Sequence, residues 1–96
     1  MKWRKNLIWQ VKFSKTAKRQ LNKLGKQPQR DILKYLKKRI ETDEDPQRYG
    51  DPLRRSLSGL WKYRVGDYRL ICEIQQEEIV VLVLAVGHRR KIYGSH

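Results

Sequence analysis

Residues 60–74, LWKYRVGDYRLICEI, constrain the fold most, because polar and apolar side chains alternate on both sides of a turn. Such alternation indicates half-buried strands, and Gly66-Asp67 between the two runs predicts a two-residue hairpin turn. If Val65 pairs with Tyr68, the side chains of the two strands separate onto two faces. The face that reads as core then carries Trp61, Tyr63, Val65, Tyr68, Leu70 and Cys72.

The opposite face of this hairpin carries three cations, Lys62, Arg64 and Arg69. The same register places Arg64 directly across from Arg69, and like charges in that position destabilise a strand pair. A bound anion such as a phosphate would relieve the repulsion. Each cation taken alone is better explained as an ordinary exposed strand residue, but the pair together favours anion binding.

The chain is strongly basic. Its 96 residues include 23 Lys and Arg against 10 Asp and Glu, a formal net charge of +13. This length predicts a single domain, residues 1–96, with a modest core. Because such a positive field attracts polyanions, nucleic acid is the first expected partner and an acidic protein is the second.

The cysteine content and the length of the apolar runs exclude further classes of protein. Cys72 is the one cysteine, so neither a disulfide framework nor a cysteine-based zinc site is expected within one chain. The longest apolar run, residues 79–86, is too short to cross a bilayer. The basic N-terminus is not a convincing signal peptide. We therefore expect a cytoplasmic protein with no membrane partner.

The N-terminal half predicts one strand and two helices. Residues 7–13 alternate as a strand, and Ser14 is placed to cap a first helix that Gly25 ends. Pro28 suits the first turn of a second helix. The apolar stripe of that helix is formed by Ile32, Leu33, Leu36 and Ile40. Its charged outer face is most simply explained as solvated.

The C-terminal half predicts three consecutive antiparallel strands after a polar loop over residues 42–57. The hairpin is followed by a turn at residues 75–78, and residues 79–86 form a strand covered on both faces or central in the sheet. The fold class is therefore α+β in the order β-α-α-β-β-β. A small antiparallel sheet of about four strands carries both helices on one face, and its other face, with the hairpin cations, stays partly open.

The chemistry-bearing residues form a cationic set. No metal-ligand cluster, P-loop or Rossmann glycine pattern occurs, and no Ser-His-Asp arrangement can be argued, so no cofactor or metal is expected. The candidate residues are Lys62, Arg64 and Arg69 on the hairpin, followed by His88, Arg89, Arg90, Lys91 and Tyr93 after the last strand.

A site of this composition suits phosphodiester cleavage in RNA, whose own 2′-hydroxyl is the nucleophile. The protein must align that group, neutralise the charge on the phosphorane and move two protons. Arginines can clamp the phosphate oxygens. Lys62 is a candidate base, His88 is able to exchange a proton near neutrality, and Tyr93 is able to stack on a base.

Structural explanations compete for the C-terminal members of this set. Residues 89–91 fit a solvated basic tail about equally well, and Tyr93 fits packing against a helix. His88 is more often a hydrogen-bonded structural residue than a catalytic one. Strict alternation along the last strand puts His88 rather than Arg89 on the cationic face, unless Gly87 breaks the alternation.

Two stretches, LRRSLSGLWKYRVGDYRLICEI and VLAVGHRRKIY, resemble the RelE/ParE superfamily of bacterial toxins from toxin–antitoxin operons. The resemblance covers nearly the whole chain, including the first helix at residues 15–24. Its most specific part is the GDYR hairpin combined with residues 87–93. In this superfamily, RelE-like members cleave messenger RNA in the ribosomal A site without a metal. ParE-like members poison DNA gyrase and generally lack the cationic set.

The resemblance to the RelE branch implies roles for five positions. Lys62 and Arg64 would serve in base and phosphate roles, and Arg69 would hold the scissile phosphate. Arg89 would act as acid or charge stabiliser, and Tyr93 would stack on or orient the substrate.

Two positions depart from the RelE pattern. Ser58 stands where RelE often has an arginine. His88 stands where some RelE proteins have lysine and other ribonuclease branches use a catalytic histidine, so the general acid is open between His88 and Arg89.

The resemblance thus implies an RelE-type toxin: a metal-independent endoribonuclease, or mRNA interferase, that leaves a 2′,3′-cyclic phosphate and a 5′-hydroxyl. The implied partners are translated mRNA, the ribosome through the 16S rRNA of its A site, and a cognate acidic RelB-like antitoxin. A ParE-like gyrase poison and a non-catalytic nucleic-acid-binding domain are the alternatives.

Overall fold

The computed structural model describes residues 7–53 and 59–90. In this part of the chain a sheet has the strand order β1-β5-β4-β3-β2. Its strands are β1 (Gln10–Phe13), β2 (Asp51–Pro52), β3 (Leu60–Val65), β4 (Tyr68–Gln75) and β5 (Val80–His88). The helices are α1 (Lys15–Asn22) and α2 (Lys26–Tyr35). A π-helical turn continues α2 over Leu36–Ile40, and a 3-10 turn spans Pro46–Tyr49.

The sheet has five strands and is mixed, which refines the prediction of about four antiparallel ones. β1 pairs with β5 in parallel, and the other neighbours are antiparallel. The predicted strand at residues 7–13 is shorter than expected, because Leu7 and Ile8 are exposed and pairing with β5 begins at Gln10. The added strand, β2, lies inside the predicted loop and pairs with β3. The end of that loop, residues 54–57, lies outside the described residues.

Both helices pack on one face of the sheet, as predicted. The buried core joins Ala17, Leu21, Ile32, Leu36 and Ile40 from the helical side to Tyr63, Leu70, Cys72, Ile74, Val81, Val83 and Val86 from the sheet. Leu33 was wrongly included in the apolar stripe: it lies one position off the i, i+4 row of Ile32 and is 47% exposed. Of the helices in the described ranges, none is both long and apolar enough to pass through a membrane.

Of the two helix caps predicted for α1, the N-terminal one is confirmed and the C-terminal one is not. Ser14 caps α1 as predicted, because its Oγ accepts a hydrogen bond from the Ala17 N–H at 3.0 Å. The prediction that Gly25 ends α1 was wrong. Lys23 is the C-cap, and Gly25 precedes α2 as its N-cap with an ordinary φ of −66°.

The hairpin register is as predicted. Val65 pairs with Tyr68, and Arg64 lies directly across from Arg69. Gly66 has a φ of 60° at the first central position of the turn, the pattern of a type II′ turn, where glycine carries no steric penalty.

A β-bulge interrupts β5 at Leu84. Ile71 of β4 pairs with Ala85, but the next residue, Cys72, pairs with Val83, so Leu84 is the extra residue. Side chains after a single extra residue point to the face opposite the one that strict alternation predicts. The bulge therefore decides which residues at the end of β5 face the helices.

α1 supplies hydrogen-bond partners to the bulge. The Ser14 Oγ donates to the Leu84 carbonyl at 3.2 Å, and the Val86 N–H donates to the Gln20 Oε1 at 2.7 Å. The Ser14 hydroxyl thus caps α1 as an acceptor and also donates to the bulged Leu84 carbonyl, because a hydroxyl is both a donor and an acceptor.

Candidate functional site

The three hairpin cations lie on the sheet face opposite the helices, because they alternate with the core residues of β3 and β4. Arg64 is exposed and Lys62 is half-buried. Lys62 also lies across from Asp51 of β2, and opposite charges in that position are favourable. This face, called the open face below, therefore includes a carboxylate that the sequence analysis missed, because Asp51 belongs to the predicted loop.

Arg69 is the member whose environment differs most from the expectation of an open surface. It is only 9% exposed, and its Nη1 donates to the carbonyls of Gly66 at 3.1 Å and Tyr68 at 3.0 Å. The ladder places it between Arg64 on β3 and Gly87 on β5. The turn carbonyls thus hold the guanidinium near the turn and offset part of its repulsion with Arg64.

His88 lies on the helix side of the sheet, so strict alternation was wrong here. It lies across from Tyr68, with ring centroids 5.6 Å apart and an interplanar angle of 82°. Both rings line a cleft of about 480 Å³ against Gln20 of α1 and against Lys23 and Leu24, which follow that helix. The alternation breaks at Leu84 rather than at Gly87, and it moves His88 away from the open face.

Arg89, the first residue after β5, is tied to the hairpin turn. Its N–H donates to the Asp67 carbonyl at 2.8 Å, and its side chain is exposed. Arg64, Arg69 and Arg89 therefore gather at the turn end of the sheet. Arg90 is also exposed, and its N–H donates to the His88 Nδ1 at 3.3 Å. Lys91 and Tyr93 lie outside the described residues.

This arrangement is suited to binding an anion. Guanidinium groups bind phosphate oxygens in a forked geometry, and here the backbone around the Gly66–Asp67 turn positions them. Within residues 7–53 and 59–90, no cluster of three His, Cys, Asp or Glu side chains is arranged to hold a metal ion.

The features that the sequence analysis missed are mostly polar side chains that act on remote backbone. Gln20 is the clearest case, because it bonds to a strand residue 66 positions later. The only sign of this role in the local sequence is that Gln20, an amide side chain, directly precedes Leu21 of the apolar helix face. Asp51 had no usable signal within its loop.

Two helices on one face of a small mixed sheet, with a pair of arginines on the other face, are the α+β architecture that the resemblance to the RelE/ParE superfamily implied. The comparisons agree with this assignment. The family model described as "ParE toxin of type II toxin-antitoxin system, parDE" matches residues 11–93. The chain belongs to this family and hence to the RelE/ParE superfamily of type II toxin–antitoxin toxins.

Relatives of known name support the same placement. Toxin RelG of Mycobacterium tuberculosis is 39% identical over 84 residues, which cover 86% of this chain and 93% of that protein. A putative RelE-like toxin protein of Escherichia coli is 29% identical over 85 residues, which cover 86% of this chain and 85% of that protein.

Solved structures share the fold. The toxin–antitoxin complex RelBE2 from Mycobacterium tuberculosis contains a chain with a TM-score of 0.77 and 35% identity, covering 88% of this chain and 95% of that one. The isolated E. coli RelE toxin gives a TM-score of 0.67 at 24% identity, covering 90% of this chain and 92% of that one, a likeness in fold alone. The predicted superfamily is thereby confirmed.

Proposed function

We propose that this chain, a single domain over residues 1–96, is a RelE-type mRNA interferase: a metal-independent endoribonuclease that cleaves translated mRNA in the ribosomal A site. The observation that carries the proposal is that Arg64 pairs with Arg69 on the open face, and that exposed Arg89 is bonded through its N–H to the turn that joins their strands. Three guanidinium groups near one turn match the charge of a phosphorane, which gains negative charge as the 2′-hydroxyl attacks.

The positions of the arginines suggest a division of roles. Arg69, held at the turn carbonyls, binds the scissile phosphate, and exposed Arg64 contacts a non-bridging oxygen. As the bond between phosphorus and the 5′-oxygen breaks, Arg89 stabilises the charge on that oxygen, which takes its proton from solvent water. We assign this role to Arg89 instead of His88, because His88 lies on the helix side of the sheet, beside α1. Lys62 takes the proton of the 2′-hydroxyl, and Tyr93 stacks on a neighbouring base. The products are a 2′,3′-cyclic phosphate and a 5′-hydroxyl.

The partners follow from the same proposal. The substrate is mRNA on the ribosome, where basic side chains contact the 16S rRNA. Several related toxins have been solved in complex with RelB antitoxins. We propose that an acidic RelB-like antitoxin covers the cationic surface of this toxin in the cytoplasm, with a segment that folds on binding.

The experiment is primer extension on a translated reporter mRNA after brief induction. It compares wild type with Arg64→Ala, with Arg69→Lys and with Arg19→Ala. Arg64 is exposed, so its removal should leave the fold intact, and we expect a loss of cleavage of about 100-fold or more. Arg69→Lys keeps a charge at the turn but loses the fork, and we expect reduced cleavage. Arg19→Ala, an equal charge change at an exposed site on α1, should cut as wild type does.

A ParE-like gyrase poison is the second candidate, because the matching family model is described as ParE. Arrested growth with intact mRNA and an induced DNA-damage response would favour it over cleavage. Intact mRNA with normal growth would favour a non-catalytic binding domain. Cuts of equal strength in wild type and Arg64→Ala would show that the catalytic assignment is wrong.

A further inference from the structure

A second basic surface lies outside the open face, where α2, the π-helical turn and the 3-10 turn meet. Its members, called the Tyr49 surface below, are Lys34, Lys38, Arg39, Arg48 and Tyr49, and all five are exposed. The first three of these, with Asp31, Tyr35 and Val65, line a groove of about 320 Å³. Three cations therefore line this groove against a single carboxylate.

Two guanidinium groups converge on one tyrosine ring. The guanidinium carbon of Arg39 lies 5.3 Å from the Tyr49 ring centroid, and that of Arg48 lies 5.5 Å from it. Both distances are within the range of cation–π attraction. Arg48 also pairs with Glu44, four residues earlier, but that pair is exposed and weakly stabilising. Two like charges beside one exposed ring remain a place where an anion would lower repulsion.

The 3-10 turn that carries Arg48 and Tyr49 is anchored to the sheet. The buried Tyr63 hydroxyl of β3 donates to the Pro46 carbonyl at 2.7 Å. Gly50 approaches the same ring so closely that a Cβ at this position would lie 2.9 Å from the Tyr63 Cζ. The backbone that carries Arg48 and Tyr49 is thus held by the strand that also carries Lys62 and Arg64, so this turn needs little ordering when a ligand binds.

The groove also adjoins the proposed catalytic site. Val65, which lines the groove, is the last residue of β3. It directly follows Arg64, whose side chain lies on the open face. A chain of phosphates that leaves the open face around the hairpin end would therefore meet Lys34, Lys38 and Arg39 next.

We propose that the Tyr49 surface is a second RNA-binding site, which holds single-stranded RNA flanking the cleaved phosphate. The proposal rests on the proposed function for the identity of the polymer. Lysine and arginine side chains of the Tyr49 surface, Arg39 and Arg48 among them, contact phosphates, and one base extends the guanidinium–tyrosine stack. A nucleic acid fits this surface better than an acidic peptide does, because a base supplies a planar π-face as well as the adjoining phosphate.

The test measures binding separately from cleavage. A fluorescent single-stranded RNA of about 12 nucleotides, 2′-O-methylated throughout so that it cannot be cut, is titrated with the purified full-length chain by anisotropy. The variants are Arg39→Ala/Arg48→Ala, Tyr49→Ala and Tyr49→Phe. Lys15→Ala/Arg19→Ala removes the same charge from exposed positions on α1 and is the control. Thermal denaturation checks that each variant is folded.

We expect the Arg39/Arg48 double variant to raise the Kd about tenfold or more relative to the α1 control. The slope of log K against log salt should fall in size by about 1.4, since each phosphate contact to a single strand contributes about 0.7. Tyr49→Ala should weaken binding about fivefold or more, and Tyr49→Phe should bind as wild type does, because phenylalanine keeps the ring.

Each outcome decides the proposal. Equal Kd and slope in the double variant and the α1 control would overturn it, as would no measurable binding by wild type. Duplex DNA is titrated in the same way as a further probe. If its binding depends on both arginines as strongly as RNA binding does, and if RNA binding is insensitive to Tyr49→Ala, the surface is a general electrostatic one and the proposal is overturned. If the double variant and Tyr49→Ala lose RNA binding but wild type does not cleave mRNA, the second site is supported and the proposed function is rejected. If wild type cleaves mRNA but these variants bind RNA as wild type does, the proposed function is supported and the second site is rejected.

Discussion

Arg69 illustrates how one side chain serves both the fold and the candidate site. The alternation of the hairpin correctly placed it across from Arg64. Its burial and its hydrogen bonds to the Gly66 and Tyr68 carbonyls could not be read from the same pattern. A long guanidinium is able to fold back onto nearby carbonyls, and period-two alternation reports only the face. Removing this side chain would therefore disturb the turn as well as any phosphate contact.

Cys72 should make stability depend on alkaline pH. Its thiol is fully buried, and burial raises its pKa well above the ordinary value of 9.0. Above pH 9 the unfolded thiol loses its proton while the native one keeps it, so the unfolded state binds fewer protons. The contribution of the protonated Cys72 thiol to the free energy of unfolding is present in full below pH 9 and is lost as the pH rises. We expect urea titrations to show a fall of up to about 1.4 kcal/mol per pH unit from this group.

Cys72→Ala is the matched control for this pH dependence. It should be less stable at neutral pH because it leaves a cavity, but its stability should fall less steeply between pH 9 and 10. Burial also raises the pKa of Tyr63 above its ordinary value of 10.0, so both proteins should lose further stability above pH 10. Equal slopes between pH 9 and 10 would contradict the assignment to Cys72.

The β5 bulge is the element that arranges the end of the last strand. It places His88 beside Tyr68 on the helix side, and it depends on hydrogen bonds from α1. The apolar run of β5 predicted a buried strand correctly. It contained no signal for the extra residue at Leu84, because every residue near it is apolar or glycine and fits either face.

Substitutions in α1 should therefore destabilise the bulge. Gln20→Ala leaves the Val86 N–H without its partner, and we expect a cost of about 1–3 kcal/mol in the free energy of unfolding. Ser14→Ala removes the cap and the Leu84 bond, at about 1–2 kcal/mol. Thr16→Ala, exposed in the first turn of the same helix, should change stability by about 0.5 kcal/mol or less. Urea denaturation in which Gln20→Ala is as mild as Thr16→Ala would contradict this role.

The edge strands were predicted less well than the interior ones. β1 is shorter than expected and β2 was not predicted at all. Each pairs with only one neighbour, β5 or β3, and the partner is distant in sequence. Short edge strands therefore have little local pattern, whereas β3 and β4 are joined by a two-residue turn that determines their register.

The whole molecule carries a formal net charge of +13, because its 23 Lys and Arg side chains outnumber its 10 Asp and Glu side chains. We expect RNA binding to depend steeply on salt. If roughly five phosphates are contacted, affinity for a single-stranded RNA should fall about 100-fold between about 50 and 200 mM salt. Anisotropy titrations across that range measure it. An affinity that barely changes would show that the charge does not drive binding.

The sequence alone determined the hairpin and its register, the helix stripes apart from Leu33, the Ser14 cap and the face of the hairpin cations, and it also indicated the superfamily. The superfamily follows from the resemblance of two stretches to known toxins, and the other features follow from periods of two and 3.6 residues, one helix cap and one turn. Tertiary structure decided the bulge at Leu84, the side taken by His88, the burial of Arg69 and the stack at Tyr49. The bulge, the side taken by His88 and the contact of Arg39 with Tyr49 depend on groups that only folding brings together. Arg69 bonds to carbonyls one and three residues away, but alternation reports only the face of a side chain and not such bonds. The two hydrogen bonds at the bulge join residues 66 and 70 positions apart, a separation that no local pattern records.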